Sequence, residues 1–274
     1  MKIGVIVPGA ASDAGGDRPS WPAIASFARA AEAHGLDSVW MFDHFFYKPS
    51  SGPIDGQLEA WTVVSALAAA TERVEIGTLV LCSSFRDPSL VAKMAATADE
   101  VSGGRLILGL GAGWHDAEYD AFGFPKDHRV ERFDEALRIV RPLLRGETVT
   151  FEGDVLHDAG RGARTPPSRD IPILVAVVRP ADAGLTARHA RRVEHGVVRG
   201  AQTNVCASVW AQLDAALAAE GRDPATLERT VGIEVPRSES LPPAEQDGDD
   251  RAFDGSVDEL AEALARTTSS ASAT

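Results

Sequence analysis

Asp87 to Gly113 reads DPSLVAKMAATADEVSGGRLILGLGAG, and this stretch decides the fold class. Asp87 can accept hydrogen bonds from the free amides of a helix start, and Pro88 takes the first helical position, where its missing N–H costs nothing. Leu90, Val91, Met94 and Ala98 then recur at the spacing of one apolar helix face. Gly103 and Gly104 end the helix. Arg105 to Leu110 follows at once as a short apolar run, the pattern of a strand covered on both faces. A helix handed by a glycine pair to a buried strand is one half of a βα repeat.

The same alternation extends in both directions. Toward the N-terminus, Lys2 to Val7 predicts a strand, and Ser20 caps a helix whose inner face is Ile24, Phe27, Ala28 and Ala31 and which Gly35 ends. Asp37 to Phe42 is a second strand. A long loop, Asp43 to Gln57, leads to a helix carrying Trp61, Val64, Leu67 and Ala68, and Val74 to Val80 is a third strand. Toward the C-terminus, a long excursion from Gly111 to Arg129 precedes a helix with Phe133, Leu137, Val140 and Leu144. Thr148 to His157 predicts a small hairpin. Strands are then expected at Ile171 to Val178, Val193 to Val198 and Thr230 to Val235, with helices at Ala181 to Ala190 and Cys206 to Glu220. Pro236 to Asp254 has no apolar period, and Ser256 with Glu259 forms a capping box.

Serial strand–helix order demands parallel strands joined by right-handed crossovers, which leaves a closed (β/α)8 barrel or an open doubly wound sheet. Seven strands in one alternation favour the α/β barrel of the TIM (β/α)8 type. The barrel is expected to lack or alter its last strand, since no sequence follows the Ser256 helix to supply it. A single barrel domain over 1–266 with a disordered tail over 267–274 is the expected organisation.

With 274 residues and a formal charge of -13, the chain repels nucleic acid and anionic lipid, so neither is an expected partner. Two cysteines, Cys82 and Cys206, are too few for a disulfide framework, and the short, glycine-broken N-terminal apolar run does not make a signal peptide. A cytoplasmic setting is expected.

Active sites in such barrels gather at the C-terminal strand ends. Asp43-His44 follows the second strand, where a histidine beside a carboxylate can move a proton; Asp43 as a turn cap with His44 packed beneath the loop is the alternative. Gly109, Gly111 and Gly113 let backbone approach a planar or anionic ligand, or else serve a tight strand exit. Trp114, His115 and Glu118 line a pocket, or Trp114 anchors its own loop. Cys82 is better read as a small buried residue than as a nucleophile. The histidines at 115, 128, 157, 189 and 195 show no metal-ligand spacing, so no metal site is expected. From Arg161 to Arg199 there are eight arginines and three acids, which suit either a solvated face or an anionic cofactor tail.

WMFDHFF at Trp40 to Phe46, FRDPSLVAKMAATADEVSGGRLILGLGAGW at Phe85 to Trp114 and EYDAFGFP at Glu118 to Pro125 resemble the luciferase-like monooxygenase superfamily. The likeness is nearest to its deazaflavin branch, and it runs from Met1 to about Leu144. The resemblance implies a flavoprotein-type barrel, an oxidoreductase transferring a hydride between coenzyme F-420 (a deazaflavin) and a small organic substrate. It makes His44 the proton-handling residue, with Asp43 touching the ring or orienting that histidine. Gly111, Ala112 and Gly113 match a stretch passing close to the cofactor, and Trp114 and Glu118 match pocket-wall positions.

The chain also departs from the family pattern. Leu81 stands where a threonine is usual, AVVRPADAG replaces a glycine-rich phosphate loop, RRVEHGV replaces an Asp-Gly-Trp strand, and the eighth strand is missing. An active enzyme would then hold the phosphate through Arg179. Two alternatives accompany this reading: an FMN-dependent monooxygenase, and a degenerate, non-catalytic barrel acting as a binding or scaffold subunit. A flavin or deazaflavin reductase and a second copy of the chain are the expected protein partners.

Overall fold

The computed structural model describes residues 2–10, 19–48, 53–162, 166–176, 182–198 and 203–233. Arg179, the loop from Pro236 to Asp254, the Ser256 capping box and the tail over 267–274 lie outside the described residues. In chain order the elements are β1 (Gly4–Ile6), α1 (Trp21–Ala33), β2 (Ser38–Met41), β3 (Phe46–Tyr47), β4 (Asp55–Gly56), α2 (Ala60–Ala70), β5 (Glu75–Thr78), β6 (Leu81–Cys82), α3 (Pro88–Ser102) and β7 (Leu106–Gly111). They continue with α4 (Asp116–Phe122), α5 (Arg129–Leu144), β8 (Thr148–Glu152), β9 (His157–Gly162), β10 (Ile173–Ala176), α6 (Asp182–His189), β11 (Arg192–Val198), α7 (Thr203–Ala219) and β12 (Glu228–Ile233). The chain divides into two compact units, Lys2–Leu174 and Val175–Thr274.

In the first unit β1, β2, β5 and β7 lie side by side in parallel, with Gly4 opposite Ser38, Ser38 opposite Glu75 and Ile76 opposite Leu106. β6 runs parallel beside β7, and the Leu108 amide reaches the Pro172 carbonyl at 3.0 Å, just before β10. Every residue of β2 and β7 is buried, as strands covered on both faces must be. Trp40, Ile107 and Leu174 form a core cluster with Ile6, Leu79 and Val80 against it.

Local chemistry sets the helix ends. The Asp87 carboxylate accepts from the Ser89 and Leu90 amides at 3.0 Å each, and Gly103, at φ 67°, stops α3 in the left-handed region. A cap of this kind contributes about 1 kcal/mol. Arg105 closes the next helix end from outside, donating to the carbonyls of Ala68 at 3.0 Å and Thr71 at 2.7 Å, where the helix dipole favours a cation.

Four features differ from the sequence expectation. Phe27, expected on the inner face of α1, is 37% exposed, and Ala25 is buried in that face instead. The inner face of α3 is Val91, Ala92, Ala95 and Ala98, while Leu90 is 52% exposed; alanines let the helix approach its neighbours and turn the bulkier leucine outward. The third strand is broken, ending at Thr78 and resuming at Leu81, with a cis peptide between Leu79 and Val80. The excursion after β7 contains α4, too short and acidic to show an apolar period.

In the second unit β11 and β12 pair in parallel, with Val193 opposite Arg229. Trp210, Leu213 and Leu217 bury one face of α7, and the Arg229 guanidinium lies 5.3 Å from the Trp210 ring centre. Counting β1, β2, β5, β7, β10, β11 and β12, the described residues carry seven strands in strand–helix succession. Among them no helix is long and apolar enough to cross a membrane.

Candidate active site

At the C-terminal ends of β2, β6 and β7 three loops meet. Asp43 leaves β2 and is buried; its Oδ2 accepts from the Cys82 amide at 2.8 Å, which ties it to β6. Arg86 grips the same carboxylate with both terminal nitrogens, at 2.8 and 3.0 Å, a bidentate pair. The guanidinium also donates to Glu59, whose other oxygen takes the Thr62 amide at 2.7 Å and so caps α2. Burial pushes the Asp43 carboxyl above its ordinary value, opposed by Arg86 and the Cys82 amide. Glu59 lies below its ordinary value, because the Thr62 and Arg86 hydrogen bonds outweigh the effect of burial.

His44 points to a different carboxylate. Its Nδ1 is 2.9 Å from Oε2 of Glu118 on α4, a side chain only 1% exposed. The other oxygen of Glu118 accepts from the Phe45 amide, and from that of Phe46 at 3.2 Å. Burial alone would raise the Glu118 carboxyl, but the His44 hydrogen bond and the two amides hold it below the ordinary value. With Nδ1 engaged, Nε2 is the remaining polar atom of the imidazole. Rings surround it: Tyr47 at 5.2 Å, Trp114 at 5.6 Å and His115 at 6.0 Å between centres, all edge-on.

The glycines are accounted for by packing. A Cβ on Gly109 would fall 1.9 Å from the Thr78 carbonyl oxygen, and one on Gly111 would fall 2.6 Å from Val80 Cγ2. On Gly113, at φ 78°, it would fall 2.1 Å from the Tyr119 hydroxyl. That hydroxyl donates to the Ala112 carbonyl at 3.0 Å and lies 3.1 Å from Cys82 Sγ. Burial pushes the Cys82 thiol up to about 11, so it is protonated near neutrality and no nucleophile.

Beside this network Leu79 and Val80 are half-buried, and Ser83 Oγ is buried with no hydrogen-bond partner among the described residues. The Ser83 amide reaches the Gly111 carbonyl at 2.9 Å, so this hydroxyl sits at the same strand end. An apolar step, an unpaired hydroxyl and a free imidazole nitrogen suit a planar ring with polar edges. Leu81 removes one expected hydroxyl, and Ser83 supplies another two residues on.

The structure thus brings Asp43, His44, Gly111, Ala112 and Gly113 to one place, while Arg179 lies outside the described residues. It separates the roles of the adjacent acid and base: Asp43 is held by Arg86, and the carboxylate on His44 is Glu118. Neither partnership was readable from spacing, although both residues lie inside the family-like blocks.

The family model of the luciferase-like monooxygenases matches residues 1–264. Curated relatives include F420-dependent glucose-6-phosphate dehydrogenases of Gordonia bronchialis, 35% identical over 64% of this chain and 52% of the relative, and of Kineococcus radiotolerans, 36% identical over 77% and 63%. The chain therefore spans between about half and two thirds of the length of these relatives. Among solved structures, an F420-dependent secondary alcohol dehydrogenase in complex with an F420-acetone adduct superposes with a TM-score of 0.73 at 23% identity, over 86% of this chain and 70% of the other. A monooxygenase from Streptomyces bottropensis gives 0.69 at 25% identity over 99% and 79%. These likenesses show the fold to be the barrel-type fold expected from the strand–helix order.

Proposed function

Since the chain belongs to the luciferase-like monooxygenase family, we propose that it is an oxidoreductase exchanging a hydride between coenzyme F-420 and a small organic substrate. The observation that carries this reading is His44 at a strand end with its Nδ1 on the buried Glu118 carboxylate. Relatives at 35% and 36% identity that are F420-dependent support the choice of coenzyme.

When bound, a deazaflavin ring supplies a carbon that accepts or gives a hydride. The protein's part is to hold, orient and move a proton. Leu79 and Val80 offer the ring an apolar surface beside Gly111, Ala112 and Gly113, and Ser83 Oγ offers it a hydrogen bond. Arg179 is assigned to the phosphate. Glu118 accepts a hydrogen bond from Nδ1–H of His44, which selects the tautomer whose Nε2 carries a lone pair, and it stabilises the imidazolium once Nε2 has taken the substrate's proton. In the reverse direction the same nitrogen returns that proton. Arg86 fixes Asp43 and thereby the loop from which His44 projects.

An FMN-dependent monooxygenase is the second reading, favoured by the similarity to a monooxygenase over 99% of the chain. Fluorescence titration with coenzyme F-420 and, separately, with FMN, each oxidised and reduced, tests both. Micromolar or tighter binding of F-420 is the expected result. Binding of FMN alone overturns it in favour of oxygen chemistry, and binding of neither favours a barrel without catalysis.

A further inference from the structure

Glu118 stands third in α4, and a helix of seven residues does not hold itself together in water. His115, just before its first residue, makes no side-chain capping hydrogen bond. The carboxylate under His44 is therefore only as well placed as whatever docks α4 from outside.

Arg129 does that docking. It is the first residue of α5, whose Phe133 and Leu137 are buried in the core, and its own side chain is 20% exposed. One terminal nitrogen pairs with Asp116 at the start of α4, and the other donates to the Trp114 carbonyl at 3.4 Å. The guanidinium carbon lies over the Tyr119 ring, 4.3 Å from its centre. Residues 114, 116 and 119 bracket Glu118, so one side chain grips the helix on both sides of the carboxylate. Nε is buried with no hydrogen-bond partner among the described residues: the side chain forgoes one hydrogen bond to lie on the ring.

The three contacts are unequal. Asp116 is 68% exposed, and water screens its pair with Arg129. Tyr119 is buried, with its hydroxyl on the Ala112 carbonyl at 3.0 Å, so its ring is a fixed plate. A planar guanidinium covers the plate and reaches the carbonyl at once, which the compact ammonium of lysine cannot do.

Resting on the reading of His44 as the proton-handling residue of an F-420 oxidoreductase, we propose that Arg129 is a positioning residue. It locks α4 to α5 through the Tyr119 ring and the Trp114 carbonyl, and so keeps Glu118 on Nδ1 of His44. Its effect on proton transfer runs through Glu118 alone.

The test reads the His44 tautomer in the full chain by imidazole 15N spectroscopy with the ring deprotonated, the His44 signals being identified by their loss in His44→Gln. Wild type should carry the proton on Nδ1. In Arg129→Ala the ratio of the Nδ1–H to the Nε2–H form should fall about tenfold, the loss of one hydrogen bond to a charged group. Added to Glu118→Ala, the same substitution should change that ratio by less than about twofold, because nothing is left to position. Arg129→Lys should restore only part of the ratio, and it replaces Arg129→Ala in the cycle if the alanine variant does not fold. Arg105→Ala, which loosens the end of α2 instead, should lower the denaturation midpoint and leave the tautomer alone. A tautomer unmoved by either Arg129 variant overturns the proposal, as do additive losses in the cycle or an equal shift in Arg105→Ala. Titration of wild type with coenzyme F-420 is run beside it: failure to bind sinks the reading beneath, while the tautomer still decides this inference.

Discussion

Glu118 and His44 stand 74 residues apart in the chain and 2.9 Å apart in the fold. One carboxylate thereby orients the imidazole with one oxygen and holds the next two amides of the same loop with the other. Side chain and backbone of the His44 loop are set by one group, so its replacement is felt in both.

Glu118→Gln keeps the shape but loses the charge and one acceptor. Turnover should fall roughly tenfold to a hundredfold, the range for a residue that orients an acid–base partner. The Kd for coenzyme F-420 should stay within about twofold, since orientation and not binding is lost. Equal losses in both would make the residue a structural support only.

Acid should expose the same carboxylate. Because the Glu118 pKa is lowered from its ordinary 4.5 in the folded state, its contribution to stability is fully present above 4.5 and is lost as pH falls through the lower value. Urea midpoints of wild type and Glu118→Gln should differ at pH 6 and converge as the pH drops toward 3. A constant gap would contradict the assignment.

Arg86→Ala would leave Asp43 buried beside Glu59 with no cation. Removing one partner of a buried pair costs about 3–5 kcal/mol, read as a drop in the denaturation midpoint. Arg86→Lys should recover only part of it, for an ammonium cannot bond both Asp43 oxygens in one plane.

Gly113→Ala should destabilise by about 2 kcal/mol or more, because φ is 78° and the new methyl would meet the Tyr119 hydroxyl. Pairing it with Tyr119→Phe removes the atom in the way. The double variant should be less unstable than additivity predicts, which thermal denaturation of all four proteins would measure.

Glu194 in β11 is 5% exposed, and burial pushes its carboxyl up to about 7. Between its ordinary 4.5 and 7 the unfolded chain ionises while the folded one stays protonated, so stability declines with rising pH across that window and is flat above it. The span corresponds to something on the order of 3 kcal/mol. Glu194→Gln should abolish this slope, visible as a Tm that no longer falls between pH 5 and pH 8.

The elements that were readable are those specified by neighbours in sequence. Asp87, Pro88 and the Gly103-Gly104 pair bound α3 because caps and left-handed stops are local devices, and β7 declared itself by being apolar throughout. α4 was invisible because seven residues carry no period, and the gap between β5 and β6 because a strand's break depends on which neighbour each half joins. At the site, His44 and Asp43 were found by position after a strand. Their partners were not, since the pairing of Glu118 with His44 and of Arg86 with Asp43 is made by the meeting of three loops. The adjacency of Asp43 and His44 in sequence does not make them partners: in the fold Asp43 is held by Arg86 and His44 by Glu118.

The hydrogen-bonded groups of the candidate site, from Asp43 through Arg86 to Tyr119, fall in one uninterrupted run of chain inside the unit Lys2–Leu174. Heredity can therefore treat them as a single inherited block. The hydrogen bonds described among Asp43, His44, Cys82, Arg86, Glu118 and Tyr119 are all made within that run, so change beyond residue 174 leaves those partnerships in place. A lineage carrying this block can vary its second part while keeping the block's own partnerships.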